Sequence, residues 1–294
     1  MITGILRASA FFVFIGRAWQ HLFQDGPYRT LFWNESLFGP LVNAITPWSW
    51  SQYVTHPMTD TVIQMGTRII GIGFLFCAIF ALTASAGNRR DRRMKVLISG
   101  AAGLMFLAFL EFMGRGFQVG QFFEYSAQFM SPVLLVMALR GMGGNFSFRF
   151  LLLSAVALTF SCHGLYAFGY YAVPGNFIDM VIRYTGMNED HSVLFLRLAG
   201  FLDFAVVVSL LVPAFRPIGL GWAVLWGLAT SLARVLYQID SGEVLASLLV
   251  WAPHAIYRFP HALLPLAALF VAGGASRSSK VFNWKSGKTV GLAS

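Results

Sequence analysis

The feature that most constrains this chain is a succession of apolar runs, each about as long as a bilayer core is thick. They cover roughly residues 5–23, 61–86, 95–113, 121–139, 149–173, 192–213, 217–238 and 255–274. A helix rises 1.5 Å per residue, so about 20 apolar residues cross a hydrocarbon core of about 30 Å. In lipid each backbone N–H and C=O needs a partner in the protein, and a helix supplies these within one segment. The runs therefore predict an all-α, polytopic membrane helical bundle of about eight transmembrane helices. The first run is the least clean, its apolar core at 11–15 flanked by Arg7 and Arg17. The chain is 57% hydrophobic and 11% charged, against about 25% charged residues in soluble domains.

The formal net charge is +9, but the basic residues lie between the runs rather than in one basic domain. No nucleic-acid module is legible, so nucleic acid is not an expected partner. The charge is better read as topology. The connection at 87–95 holds five basic residues and one acid, which marks a cytoplasmic loop. Counting every second connection from there, with Arg7, Arg140, Arg149, Arg216 and the C-terminal cluster Arg277, Lys280, Lys285 and Lys288, collects 13 of the 21 Lys and Arg. The opposite connections hold Asp25, Glu35, Asp60, Glu124, Asp179, Glu189, Asp190, Asp240 and Glu243. One alternating pattern fits every loop. It predicts a multi-pass protein of the inner (cytoplasmic) membrane with both termini in the cytoplasm.

Two outer connections are long. Residues 24–60 carry Trp33, Trp48 and Trp50 with Pro27, Pro40 and Pro47, and read as short interfacial helices. Residues 174–191 carry a small apolar face at Ile178, Val181 and Ile182. Either segment is an anchor or a lid over an outward-facing site. Cys77 and Cys162 lie inside apolar runs without a CxxC spacing, and read as inert buried thiols. The first run contains Arg17, Gln20 and His21 with no cleavage site after it, which is not the pattern of a cleaved signal peptide.

The chain also echoes itself. Arg68 precedes Gly71 and Arg197 precedes Gly200, each at the outer end of a run. Pro132 follows Arg68 by 64 residues, and Pro265 follows Arg197 by 68. This predicts two tandem four-helix repeats of parallel orientation, at 1–145 and 146–276, followed by a cytoplasmic basic tail at 277–294.

Ionisable residues inside the runs carry the functional argument, because each costs several kcal/mol unless paired or hydrated. Arg68, Glu111, Arg115, Arg197, Asp203 and Arg234 form the expected intramembrane polar network. Glu111 and Arg115 have the spacing of a helix ion pair, and Asp203 is expected to pair with Arg234. Arg17, His21, His163 and Tyr166 are candidate ligand-binding residues. Three readings stay open: a network that fixes helix register, snorkelling of Arg17 and Arg115 to headgroups, or a polar cavity richer in Arg than in acid. His21 and His163 raise axial haem ligation, but the paired-His spacing of membrane cytochromes within single helices is absent. His254 and His261 stand beside Pro253 and Pro260 and are expected at the interface. No phosphate-binding loop, nucleophile elbow or zinc helix occurs. Neither a metal nor a cofactor is expected, haem and quinone being the ones to consider, and catalysis is not expected.

The stretch Leu196-Arg197-Leu198-Ala199-Gly200-Phe201-Leu202-Asp203, with a Trp-rich run ending Thr230-Ser231-Leu232-Ala233-Arg234, resembles the DoxX-like family of bacterial membrane proteins. The first half matches at Arg68 and Gly71. The family is usually one four-span unit, so the resemblance implies a fused pair. It also implies an integral subunit accessory to a membrane redox complex, with lipid and other membrane subunits as partners. The residues alone support a different expectation, transport of a polar or anionic solute through an outward-facing Arg-rich cavity.

Overall fold

The computed structural model describes residues 1–86 and 91–286, with side chains described through residue 273. Arg89, Arg90 and Lys288, counted above as loop and tail charges, lie outside the described residues. The side chains of Arg277, Lys280 and Lys285 lie outside them too. The first half runs α1 (Ile2–Phe23), α2 (Arg29–Phe32), α3 (Glu35–Ile45), α4 (Trp50–Thr55), α5 (Pro57–Thr83), α6 (Arg92–Gly114), α7 (Val119–Glu124) and α8 (Ser126–Leu139). The second runs α9 (Phe146–Phe168), α10 (Gly175–Thr185), α11 (Glu189–Leu211), α12 (Arg216–Leu236), α13 (Val244–Ile256) and α14 (Pro260–Ser286). No strand occurs among the described residues. Helix α14 thus continues into the segment read as a tail.

Seven helical units are long and apolar enough to cross a membrane: α1, α5, α6, α9, α11, α12 and the segment Val244–Gly273. Helix α8, at 14 residues, rises only about 21 Å and needs α7 to complete the crossing. The fourth crossing is therefore broken at Tyr125. The eighth begins at Val244 rather than near 255 and is broken between Ile256 and Pro260. A ring nitrogen at Pro260 cannot continue the hydrogen-bond ladder of α13. At the other break the amide of Ala127, in the first turn of α8, bonds the Thr159 hydroxyl of α9 at 3.0 Å. A neighbouring helix thereby serves backbone that lipid cannot.

Both halves share one packing scheme. Helix α1 packs on α5, α8, α13 and α14, while α9 packs on α11, α14, α7 and α8. Each broken crossing touches both α1 and α9, so the halves interlock rather than standing as two separate bundles. The connections match as well. Arg93, at the start of α6, donates to the Thr83 carbonyl at the end of α5 at 2.6 Å. Arg216, at the start of α12, donates to the Leu210 carbonyl near the end of α11 at 2.9 Å. Arg7 binds the carbonyls of Ala81 and Leu82. These cations complement the negative ends of α5 and α11. Asp91 caps α6; the amides of Ser85 and Arg93 that it accepts hold its carboxyl below the ordinary carboxylate range.

The Arg-x-x-Gly echo has a packing explanation. A Cβ on Gly71 would stand 2.9 Å from the Cβ of His21 in α1. A Cβ on Gly200 would stand 2.6 Å from the backbone nitrogen of Phe168 and 2.9 Å from the Gly164 carbonyl in α9. The glycines let α5 and α11 lie against α1 and α9, as small residues do where helices meet in lipid. Gly73, in contrast, has nothing within 4 Å of its would-be Cβ. Gly200→Ala should therefore lower the melting temperature in detergent, by an overpacking cost of about 1–3 kcal/mol. Gly73→Ala should leave it unchanged or raised, and equal melting temperatures would mean that the backbone contact does not hold the helices.

Candidate functional site

The ends of α1, α6, α9 and α12 and the starts of α5, α7, α11 and α13 share one face of the bundle, which also carries the long connections. Most of the buried charge lies towards this face. Arg17 of α1 is 2% exposed. It donates to Gln20 at 2.8 Å and to Gln128 of α8 at 2.9 Å. Its guanidinium lies 3.9 Å from the Tyr257 ring centroid and 5.4 Å from that of Tyr125. Those tyrosines stand at the two helix breaks, so one cation joins both. Gly16 permits this approach, since a Cβ there would meet the Tyr257 nitrogen at 2.6 Å. Snorkelling does not describe Arg17, because its head is enclosed by side chains.

His21 lies one turn further out. Its Nδ1 donates to the Arg17 carbonyl at 2.7 Å, and its Nε2 lies 3.0 Å from the Tyr28 hydroxyl. Burial pushes the Tyr28 phenol above its ordinary value, so Tyr28 keeps its proton and donates it. Both ring nitrogens of His21 are engaged, which leaves none free for iron in this arrangement.

A polar cavity of about 240 Å³ opens beside the breaks. Glu111, Arg115, Tyr166 and Arg234, all expected from sequence, line it. Glu124, Tyr125, His254, Tyr257 and Arg258 line it too. The Glu111–Arg115 ion pair does not close: no salt bridge joins them among the described residues, because Arg115 stands at the C-cap of α6, off the regular helix, and is exposed. The Tyr166 hydroxyl donates to Gln118 at 2.9 Å. The cavity has three arginines and two glutamates. Its one close acid contact is Glu124 to His163 at 3.6 Å. Arg258 spends one nitrogen on the His254 carbonyl at 3.2 Å, and its Nε is buried without a partner. Arg234 makes no hydrogen bond or ion pair among the described residues and faces the Phe177 ring at 5.2 Å.

A second cavity of about 420 Å³ lies between α10, α11 and α12. Its wall is apolar except at His163, Tyr184, Asp203, Trp226, Arg234 and two threonines. Phe177 and Arg234 belong to both cavities. Helix α10 covers it with Phe177, Met180 and Val181, and is pinned by the Tyr184 hydroxyl to the Ala233 carbonyl at 3.2 Å. The face at Val181 is thus a roof, with Phe177 its main contact in place of the exposed Ile182.

The expected network does not assemble as one unit. Arg68 and Arg197 are exposed on the outer flanks of α5 and α11. The inward member of each Arg-x-x-Gly is the glycine, and the arginine side chain is long enough to reach the headgroups. Asp203 is 1% exposed, yet both its carboxylate oxygens lack a partner, as does the Trp226 indole nitrogen. No ion pair joins Asp203 to Arg234, because Arg234 lies two residues from the outer end of α12 while Asp203 lies near the middle of α11. His261 is buried rather than interfacial, at 4% exposure, because the eighth crossing starts eleven residues earlier than the hydropathy boundary. The apolar residues 244–252 carried that signal. Nothing in the sequence singled out Glu124, Tyr125 or Arg258, whose meeting depends on two breaks 130 residues apart.

No known family profile matches the chain, and no curated protein or solved structure is similar to it.

Removing the unpaired carboxyl from its apolar wall should raise stability. Asp203→Leu is expected to melt higher than the wild type. Its effect should add to that of Arg234→Leu within about 0.5 kcal/mol, as for uncoupled sites. A double variant departing from additivity by more than about 1 kcal/mol would show a coupling that the structure lacks.

Proposed function

We propose that this protein is a membrane carrier of an anionic, polar group, taken up through the cavity at the two helix breaks. The carrying observation is the cavity's position. Interrupted helices at corresponding places in two halves expose backbone and side chains where substrates of membrane carriers bind. Here the two breaks supply Tyr125, Tyr257 and Arg258, and Arg115 and Arg234 complete a surplus of cations over Glu111 and Glu124. Planar guanidinium groups match carboxylate and phosphate oxygens in pairs. In a low-dielectric wall such groups hold an anion far better than in water.

The test uses the purified full chain in phosphatidylcholine nanodiscs, with phosphate, sulfate and glutamate as probes. At least one should bind, and Arg258→Gln should weaken it about tenfold, the worth of one charge-assisted hydrogen bond. Failure of all three to bind would sink the reading. The DoxX-like resemblance supports a second reading, a subunit accessory to a membrane redox complex. A quinone and further subunits co-purifying with the chain would favour it.

On the charge pattern we place the chain in a bacterial inner membrane with both termini cytoplasmic, so that the cavity faces outward. Alkaline phosphatase fused after Gln52 should be active, and fused after Asp91 inactive. The reverse pattern would invert the orientation.

A further inference from the structure

We infer that the anion bound in the polar cavity is the headgroup of an amphiphile whose hydrocarbon chain occupies the apolar cavity beneath α10. The inference rests on the anion-binding reading and names the class of ligand. Three observations carry it. First, Arg234 and Phe177 stand in the walls of both cavities. Arg234 has no ion pair or hydrogen bond among the described residues, so a cation waits at the junction of a polar and an apolar space. Second, the apolar space has the size of ligand sites, which run from about 300 to 1,000 Å³. From Arg234 to Trp226 along α12 it extends about 12 Å at 1.5 Å per residue. An inorganic anion fills none of that length. Third, the wall includes residues that the bundle leaves exposed to lipid: Phe195 at 37%, Leu232 at 39% and Leu236 at 51%. A chain can therefore come in sideways from the bilayer while its headgroup stays with Arg234.

Arg234 sets the direction. Among the described residues it is the one arginine or lysine in the apolar cavity's wall, at its junction with the polar cavity, and the deep end at Asp203 and Trp226 offers no cation. The acid of the ligand therefore belongs at Arg234. The related place in the first half is filled by side chains. There Phe74 occupies the place that Asp203 takes in α11 and packs on Phe14 and His21. One chain site per protein is expected.

The experiment compares dodecyl phosphate, inorganic phosphate and dodecanol on the full chain in phosphatidylcholine nanodiscs, with empty nanodiscs as reference. Dodecyl phosphate should bind at least tenfold tighter than either of the other two. Ala229 and Ala233 line the apolar cavity. Ala229→Phe and Ala233→Phe, each checked for an unchanged melting temperature, should abolish the advantage of the chain and leave inorganic phosphate binding intact. Equal binding of dodecyl phosphate and phosphate would overturn the inference while sparing the anion site. Equal binding of dodecanol and dodecyl phosphate, or Phe variants that both keep the advantage, would overturn it too. If no phosphate species binds, the anion-binding reading falls, and this inference with it.

Discussion

Much of this structure depends on one buried cation. The Arg17 guanidinium sits inside the bundle with no carboxylate within ion-pair distance among the described residues. A charge in that setting is costly unless its donors are satisfied and its field is compensated. Two glutamine side chains satisfy part of it. Two tyrosine faces compensate more of it, each cation–π contact contributing about 0.5–2 kcal/mol, and its Nε stays without a partner. Those tyrosines are available only because both broken crossings turn at the depth of Arg17. The cation, the breaks and the polar cavity are thus one arrangement: straightening either helix would carry its tyrosine away and leave the charge exposed to hydrocarbon.

The breaks would be intolerable if they faced lipid. They persist because α1 and α9 each lie against both of them and because side chains of α9, α12 and α14 serve the freed backbone. Thr159 serves the amide of Ala127, and Ser231 and His261 share the Arg258 carbonyl at 3.3 and 2.8 Å. Close approach is the condition for this service. A Cβ on Gly16 would stand 2.6 Å from the Tyr257 nitrogen, and one on Gly227 2.4 Å from the His261 carbonyl, so these glycines bring backbone to backbone where any larger residue would hold the helices apart. The glycine content therefore serves function indirectly, by seating irregular backbone where it lines a cavity.

The halves share a packing scheme but not a chemistry. In the first half, Phe74 and His21 fill the space between α1 and α5 with rings packed edge to face. In the second, a carboxyl, an indole and an open volume occupy the related space beside α11. The first outer connection is held down by Arg29, which bridges Asp25 and Asp60. The second connection, α10, is a roof over the volume. One half is thus filled with side chains where the other keeps an open volume.

What the sequence by itself determined is the membrane-spanning, all-helical character of the chain. Backbone in lipid has few ways to satisfy its hydrogen bonds, and apolar runs of fixed length report that constraint directly. It also marked Glu111, Arg115, Tyr166 and Arg234 as residues to explain, since any charge or hydroxyl in such a run stands out. Their grouping was decided by tertiary structure. Arg68 and Arg197 carry the same sequence signal as Arg234, yet the rotation of α5 and α11 about their axes turns them outward, because the glycine three residues on must face the neighbouring helix. Tyr125 and Tyr257 are ordinary in sequence and central in space. Which charges meet depends on helix rotation, depth and interruption, and these are set by contacts between different helices, such as Gly71 on His21 and Arg17 on Gln128, which a local apolar pattern does not encode.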